Sequence, residues 1–184
     1  MSFLTTDYSN VQDNNYDALP TGEYEMIIAS AKEDATPSGA ETLQLDLVVR
    51  NDVKNVPALA ETNGKYANRH VFMDNWKRKA TKQYDTDGFM TILYAAGVPE
   101  GTAINSIQDF INQITNKPVR VYVKKQVDDY KTEDPSNPVY QNRVAPWNFS
   151  PTKFKEVNHQ KDAKAGNTKK AEPSISINEE DIPF

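Results

Sequence analysis

The stretch "TLQLDLVVRN", residues 42–51, places Leu43, Leu45, Leu47 and Val49 on one side of the chain and Gln44, Asp46 and Arg50 on the other. Side chains of an extended strand point alternately to its two faces, so this spacing predicts a strand with one buried and one solvated face. Just upstream, "LPTGEYEMIIASAKED" (19–34) repeats the pattern, with Tyr24, Met26 and Ile28 alternating with Glu23, Glu25 and Ile27. Between them "ATPSGAE" (35–41) has the composition of a turn, so the two strands read as a hairpin.

Beyond the hairpin, "DVKNVPALAETNGKYA" (52–67) is a long connection to a third strand, "NRHVFMDNW" (68–76). "TKQYDTDGFMTILYAAGVPEG" (81–101) reads as a helix, because Phe89, Ile92, Leu93 and Ala96 have helical spacing and Gly97 and Pro99 supply a stop. Asp85 and Asp87 fall where a helix N-terminus favours a cap and negative charge. A shorter helix follows in "INSIQDFINQITNK" (104–117), with Ile104, Ile107, Ile111 and Ile114 on one face and Phe110 beside them. "KPVRVYVKKQV" (117–127) is a fourth strand, with Val119, Val121 and Val123 opposite Arg120, Tyr122 and Lys124. After the turn-rich "DDYKTEDPSNPVY" (128–140), "YQNRVAPWNFSP" (140–151) supplies a last strand that ends at Pro146.

This order predicts a mainly β fold: an OB-fold, the five-stranded Greek-key barrel, with one or two helices between strands three and four. An open five-stranded α+β sheet without closure gives the same string. Residues 1–19 read as an N-terminal arm and 20–156 as the domain. Residues 157–184 read as a disordered C-terminal tail, because "NHQKDAKAGNTKKAEPSISINEE" (158–180) is polar and aperiodic and cannot bury enough apolar surface to offset its ordering entropy.

The composition agrees with a domain plus a tail. Hydrophobic residues make up 38% of the 184, below the roughly 45–50% of a globular chain. The absence of Cys excludes disulfides, Cys-ligated zinc and thiol catalysis. "MSFLTTDYSN" lacks the basic and apolar regions of a signal peptide, and no stretch approaches the ~18 apolar residues of a membrane span. The net charge of −5 argues against an indiscriminately basic nucleic-acid binder, but not against a local basic face.

No phosphate-binding, dinucleotide-binding or nucleophile-elbow motif occurs, and His70 and His159 are the whole histidine complement. The expectation is a protein that is not an enzyme and needs no cofactor or metal. The informative constellation is a mixture of basic and aromatic residues on the solvated strand faces. Strand four offers Arg120, Tyr122 and Lys124. Strand three offers Phe72 and Trp76, with Arg69 nearby and Lys77, Arg78 and Lys79 just past its end. Strand five adds Arg143, then Trp147 and Phe149. Cations that track phosphates and rings that stack on bases bind single-stranded nucleic acid without reading its sequence. The competing reading puts Phe72, Trp76 and Trp147 in the core and makes Lys77–Lys79 an ordinary solvated charge run.

The chain ends in Glu179, Glu180, Asp181, Ile182, Pro183 and Phe184. This resembles the acidic tip of bacterial single-stranded DNA-binding proteins, which typically reads Asp-Asp-Asp-Ile-Pro-Phe, with Glu in place of Asp at two positions. Residues 19–52, and more loosely the chain up to the last strand, resemble a family of phage-encoded single-stranded DNA-binding proteins formerly catalogued as a domain of unknown function. The resemblance implies an OB fold, a role in phage DNA replication, recombination or repair, and a cytoplasmic location in the infected bacterium. It also implies that replication, repair or recombination enzymes dock on the tip. Ile182 and Phe184 suit an apolar pocket, and the carboxylates suit a basic rim. The tail lacks the long Gly/Gln/Pro-rich run of bacterial relatives, which leaves homo-oligomerisation open. Three rivals stay open: an RNA-binding or annealing OB module, a tip mimic that occupies host enzymes without binding DNA, and a nuclease using Asp46, Asp74 or Asp85.

Overall fold

A computed structural model of the protein describes residues 17–161. The alternating leucines lie in its second strand, β2 (Glu41–Val49), and Leu43, Leu45, Leu47 and Val49 are all fully buried. The strand before it, β1 (Gly22–Ala35), buries Tyr24, Met26 and Ile28 on the same side. The hairpin is antiparallel, and its register shifts between Ile28 and Ser30. A bulge of this kind bends and twists a strand, which lets β1 serve two halves of one sheet. Its later residues pair with β2, and its first residues, Gly22–Ile27, pair with β4 (Pro118–Val127).

The remaining strands are β3 (His70–Trp76), β5 (Tyr140–Arg143) and β6 (Phe149–Pro151). The sheet runs β3-β2-β1-β4-β5, and β6 pairs with β4 beyond the end of β5. Helices α1 (Thr86–Ala95) and α2 (Ile107–Ile114) intervene between β3 and β4. That strand order, with helices at that point, is the OB arrangement. Its two end strands, β3 and β5, line opposite sides of one groove without pairing as strands, so the barrel stays partly open.

Capping accounts for both helices. The Asp85 side chain accepts from the Asp87 N–H at the start of α1, and Ser106 accepts from the Asp109 N–H at the start of α2. Helix α1 ends with Gly97 at φ +72°, where the Gly97 N–H reaches Tyr94 O and the Val98 N–H reaches Leu93 O. This left-handed stop satisfies carbonyls that the helix would leave bare. Phe89 of α1 stacks on Phe110 of α2 with centroids 4.2 Å apart.

Four expectations change. Arg50 is fully buried rather than solvated. Its Nε and Nη2 bind Asp52 at 3.0 and 2.7 Å, and Nη1 and Nη2 donate to the carbonyls of Phe154 and Glu156 at 2.7 and 2.6 Å. A buried guanidinium is tolerated only with such a set of partners. The last strand is two short strands, because Pro146 has no N–H to donate and starts a 3₁₀ turn (Pro146–Asn148) between them. Phe149, expected on the solvated face, is in the core beside Val121. The body also extends beyond residue 156. The Asn158 N–H donates to Asp52, and the Gln160 N–H donates to Asn51. At the other end Leu19 is fully buried, with its N–H and C=O both bound by the Asn142 amide.

Burial alone raises the pKa of Asp52, but hydrogen bonds from Arg50 and the Asn158 N–H, and the Arg50 charge, overturn that and hold it below the ordinary 3.8. A carboxyl depressed in the folded state contributes stability above its unfolded pKa and loses it as pH falls through the folded value. Asp52→Asn strands the Arg50 charge, so it should destabilise the protein by about 3–5 kcal/mol near neutrality. Urea unfolding near neutrality and again well below pH 3.8 should show the difference between the two proteins shrinking in acid. A difference that stays constant would exclude Asp52 ionisation as its source.

Candidate nucleic-acid interface

Because the barrel is open between β3 and β5, a groove of about 1550 Å³ runs along that seam. Strand β3 alternates buried and exposed residues, which turns His70, Phe72, Asp74 and Trp76 outward along one bank. The other bank is β5 with the Pro146 turn, carrying Tyr140, Arg143 and Trp147. The β4–β5 loop adds Tyr130 and Lys131. Seven residues of β3 at about 3.3 Å each make the bank about 20 Å long.

The groove is aromatic. Phe72, Trp76, Tyr130, Tyr140 and Trp147 all line it and all are exposed, Trp147 at 77% and Tyr130 completely. Water disfavours large apolar surface, and a concentration of exposed rings on one groove marks a binding surface rather than a core. His70 lies beside Phe72 with ring centroids 6.4 Å apart and planes inclined by 23°, and its Nδ1 lies 2.8 Å from Asp46 Oδ1. The loop holding Tyr130 is ordered by Asp128, whose N–H donates to Val139 O at 2.8 Å and whose C=O accepts from Thr132.

Its charges roughly cancel. Arg69, Lys131 and Arg143 line the groove, but so do Asp74, Asp85 and Asp128. Arg69 donates to Asp17 O at 2.6 Å, and Lys131 lies 3.8 Å from Asp128. At the Trp76 end, Asn75 lies on the groove floor with its Nδ2 buried and without a hydrogen-bond partner among the described residues.

The sequence-predicted residues therefore divide into three sets. Arg69, Phe72, Trp76, Arg143 and Trp147 meet in the groove. Lys77, Arg78 and Lys79 sit past its Trp76 end. Lys77 donates to Glu41 at 2.8 Å and lies over the Tyr84 ring, Arg78 pairs with Asp85 at 3.2 Å, and Lys79 is exposed. The hydrogen bond to Glu41 holds the Lys77 ammonium above its ordinary pKa. Arg120, Tyr122 and Lys124 lie on the outer face of β4 and do not line the groove. Glu179–Phe184 lie outside the described residues. Tyr130, Lys131, Tyr140 and His70 were not singled out from the sequence. The signal available was a pair of tyrosines flanking a turn-rich loop.

The acids named for a nuclease are separately engaged. Asp46 meets His70, Asp74 accepts from Gln44 Nε2 at 3.2 Å, and Asp85 caps α1. Among the described residues no three His, Cys, Asp or Glu side chains gather as metal ligands, and no helix is long and apolar enough to cross a membrane.

A family model described as "Protein of unknown function (DUF669)" matches residues 4–173. No curated protein matches the chain. Among solved structures, a chain of yeast RPA bound to ssDNA aligns with 83% of this chain and 92% of its own, at 8% identity and a TM-score of 0.35.

The Pro146 turn that carries Trp147 packs against α1 at Gly88. A Cβ on Gly88 would lie 3.0 Å from Pro146 Cβ, a contact tight enough that Pro146 must give by a few tenths of an ångström. Gly88→Ala should thus displace the Pro146 turn, although Ala favours the helix by about 1 kcal/mol. The expected result is a shifted Trp emission spectrum with only a small change in Tm. Unchanged emission would mean that α1 does not position the turn.

Proposed function

We propose that this chain, which belongs to the DUF669 family, binds single-stranded DNA along the seam between β3 and β5. The observation that carries the reading is the row of exposed rings, Phe72, Trp76, Tyr130, Tyr140 and Trp147, on one open groove. Each base of a single strand presents a flat π-face, and base–aromatic stacking is worth about 1–3 kcal/mol per base. Stacking is indifferent to base identity, so the groove suits a protein that coats DNA rather than one that reads it. Arg69, Lys131 and Arg143 contact phosphates at intervals, and Lys77–Lys79 continue past the Trp76 end. In this reading the acidic Ile-Pro-Phe end recruits replication, recombination or repair enzymes of a phage-infected cell. The support for that part is the sequence of Glu179–Phe184 alone.

Titration of intrinsic Trp fluorescence with matched single-stranded DNA, RNA and duplex DNA tests the groove. Single-stranded DNA should quench Trp76 and Trp147 and bind tightest. Equal or tighter RNA binding would assign the groove to RNA, and binding to duplex alone would remove stacking as its basis. Trp147→Ala should weaken binding by about 1–3 kcal/mol and leave Tm nearly unchanged, because the ring is mostly exposed. Loss of stability in place of affinity would return Trp147 to a structural role.

A further inference from the structure

Resting on that reading, we infer that a bound strand does not stop in the seam. It crosses over β5 and continues along the outer face of β4, where Arg120, Tyr122 and Lys124 form a second binding stretch. Three observations carry this.

The first is continuity. Arg143 lines the groove, and it is also the register partner of Lys124. Residues directly opposite in an antiparallel pair point to the same side, so the Arg143 and Lys124 side chains emerge together on the outer face. Strand β5 has only four residues, and neighbouring strands lie about 4.8 Å apart, so the crossing is short. Arg143 lies opposite Lys124 and Phe149 opposite Val121, so the turn between them, with Trp147, passes at the level of Tyr122.

The second is the chemistry of the strip. Tyr122 is 42% exposed in the middle of a sheet, on a face opposite the buried Val119, Val121 and Val123. It has a cation two residues away on either side, Lys124 exposed and Arg120 half-buried with its Nε enclosed, so a ring and one exposed charge project beside a partly covered one. Glu23 opposes them and lies 3.6 Å from Arg120 Nη1. The neighbouring Glu25 is buried, its carboxylate accepting from Thr152 Oγ1 and the Lys153 N–H, so it does not repel a strand from this face.

The third is what the groove lacks. Its lining charges balance, with Arg143 among them, so phosphates that leave over β5 meet their next cation at Lys124, the register partner of Arg143.

The test compares oligo(dT) of about 4 and about 16 nucleotides, the ends of the range for one OB fold. The about 4-mer should bind wild type, Tyr122→Ala and Lys124→Gln alike. The about 16-mer should bind Tyr122→Ala between about 5-fold and about 150-fold more weakly than wild type. Its affinity should also fall more steeply with salt than that of the short oligomer, and Lys124→Gln should reduce that slope by about 0.7. Circular dichroism and Tm confirm that both variants are folded, and Lys124→Gln, an exposed change, remains informative where Tyr122→Ala is unstable. Equal effects of the variants on both lengths, or none on either, would overturn the second stretch. Failure of wild type to bind either length would instead overturn the groove.

Discussion

Arg50 sets the frame for the rest of the molecule. A guanidinium with no exposure must satisfy every nitrogen or lose several kcal/mol of hydration uncompensated. Asp52 takes one edge, and Thr152, Phe154 O and Glu156 O take the remainder. The segment after β6 is therefore drawn against the end of β2, and with it the loop 51–55 and the turn at Asn63. Asn63 is buried and acts as an extra piece of strand: its Oδ1 accepts from the Glu25 N–H, and its Nδ2 donates to the carbonyls of Glu25 and Arg50. The described residues end at Lys161, just after Gln160 binds Asn51. Asn51 also binds Asn68, which lines the groove, so Gln160 lies toward the Arg69 end of the seam.

The opposite constraint is what the barrel fails to close. Strands β3 and β5 are the ends of the strand order, and an unpaired edge inside a protein needs something to cover it. Leu19 fills one part of the gap, locked to Asn142 on the β5 side, and Asp17 meets Arg69 on the β3 side. The remainder stays open and is flanked by rings. Pairing on β5 ends at Arg143, and three residues on, Pro146 starts the turn that displays Trp147.

Much of this was legible from residue spacing. The alternation in β2 and β4, the cap at Asp85, and the stop at Gly97 all act over a few residues, so local pattern suffices. Arg50 was not legible, because alternation assigns it to the solvated face and only partners a hundred residues away reverse that. Phe149 was misplaced because a 3₁₀ turn resets the alternation after Pro146. The division of the basic and aromatic residues into a groove and a strip was hidden for a different reason. Period-two spacing says whether a side chain points in or out of a barrel, but not where around its circumference each strand stands. Phe72 and Tyr122 both point out, yet two strands separate theirs on one side and β5 with the seam on the other. Tyr130 escaped because a loop has no periodicity to read.

The balance of charge in the groove bears on how a single strand would be told from a duplex. A surplus of Lys and Arg attracts any phosphate backbone, and that attraction grows with each neutralised phosphate whatever the strandedness. A groove that carries Asp74, Asp85 and Asp128 beside its cations forgoes this attraction. What it offers in exchange is ring faces, which only unstacked bases can use. A duplex keeps its bases stacked on one another and would have to pay unstacking of a few kcal/mol per step to reach those rings. On the proposed function, selectivity for single strands thus comes as much from the cations the groove does without as from the aromatics it displays, which reconciles an acidic chain of net charge −5 with a polyanionic ligand.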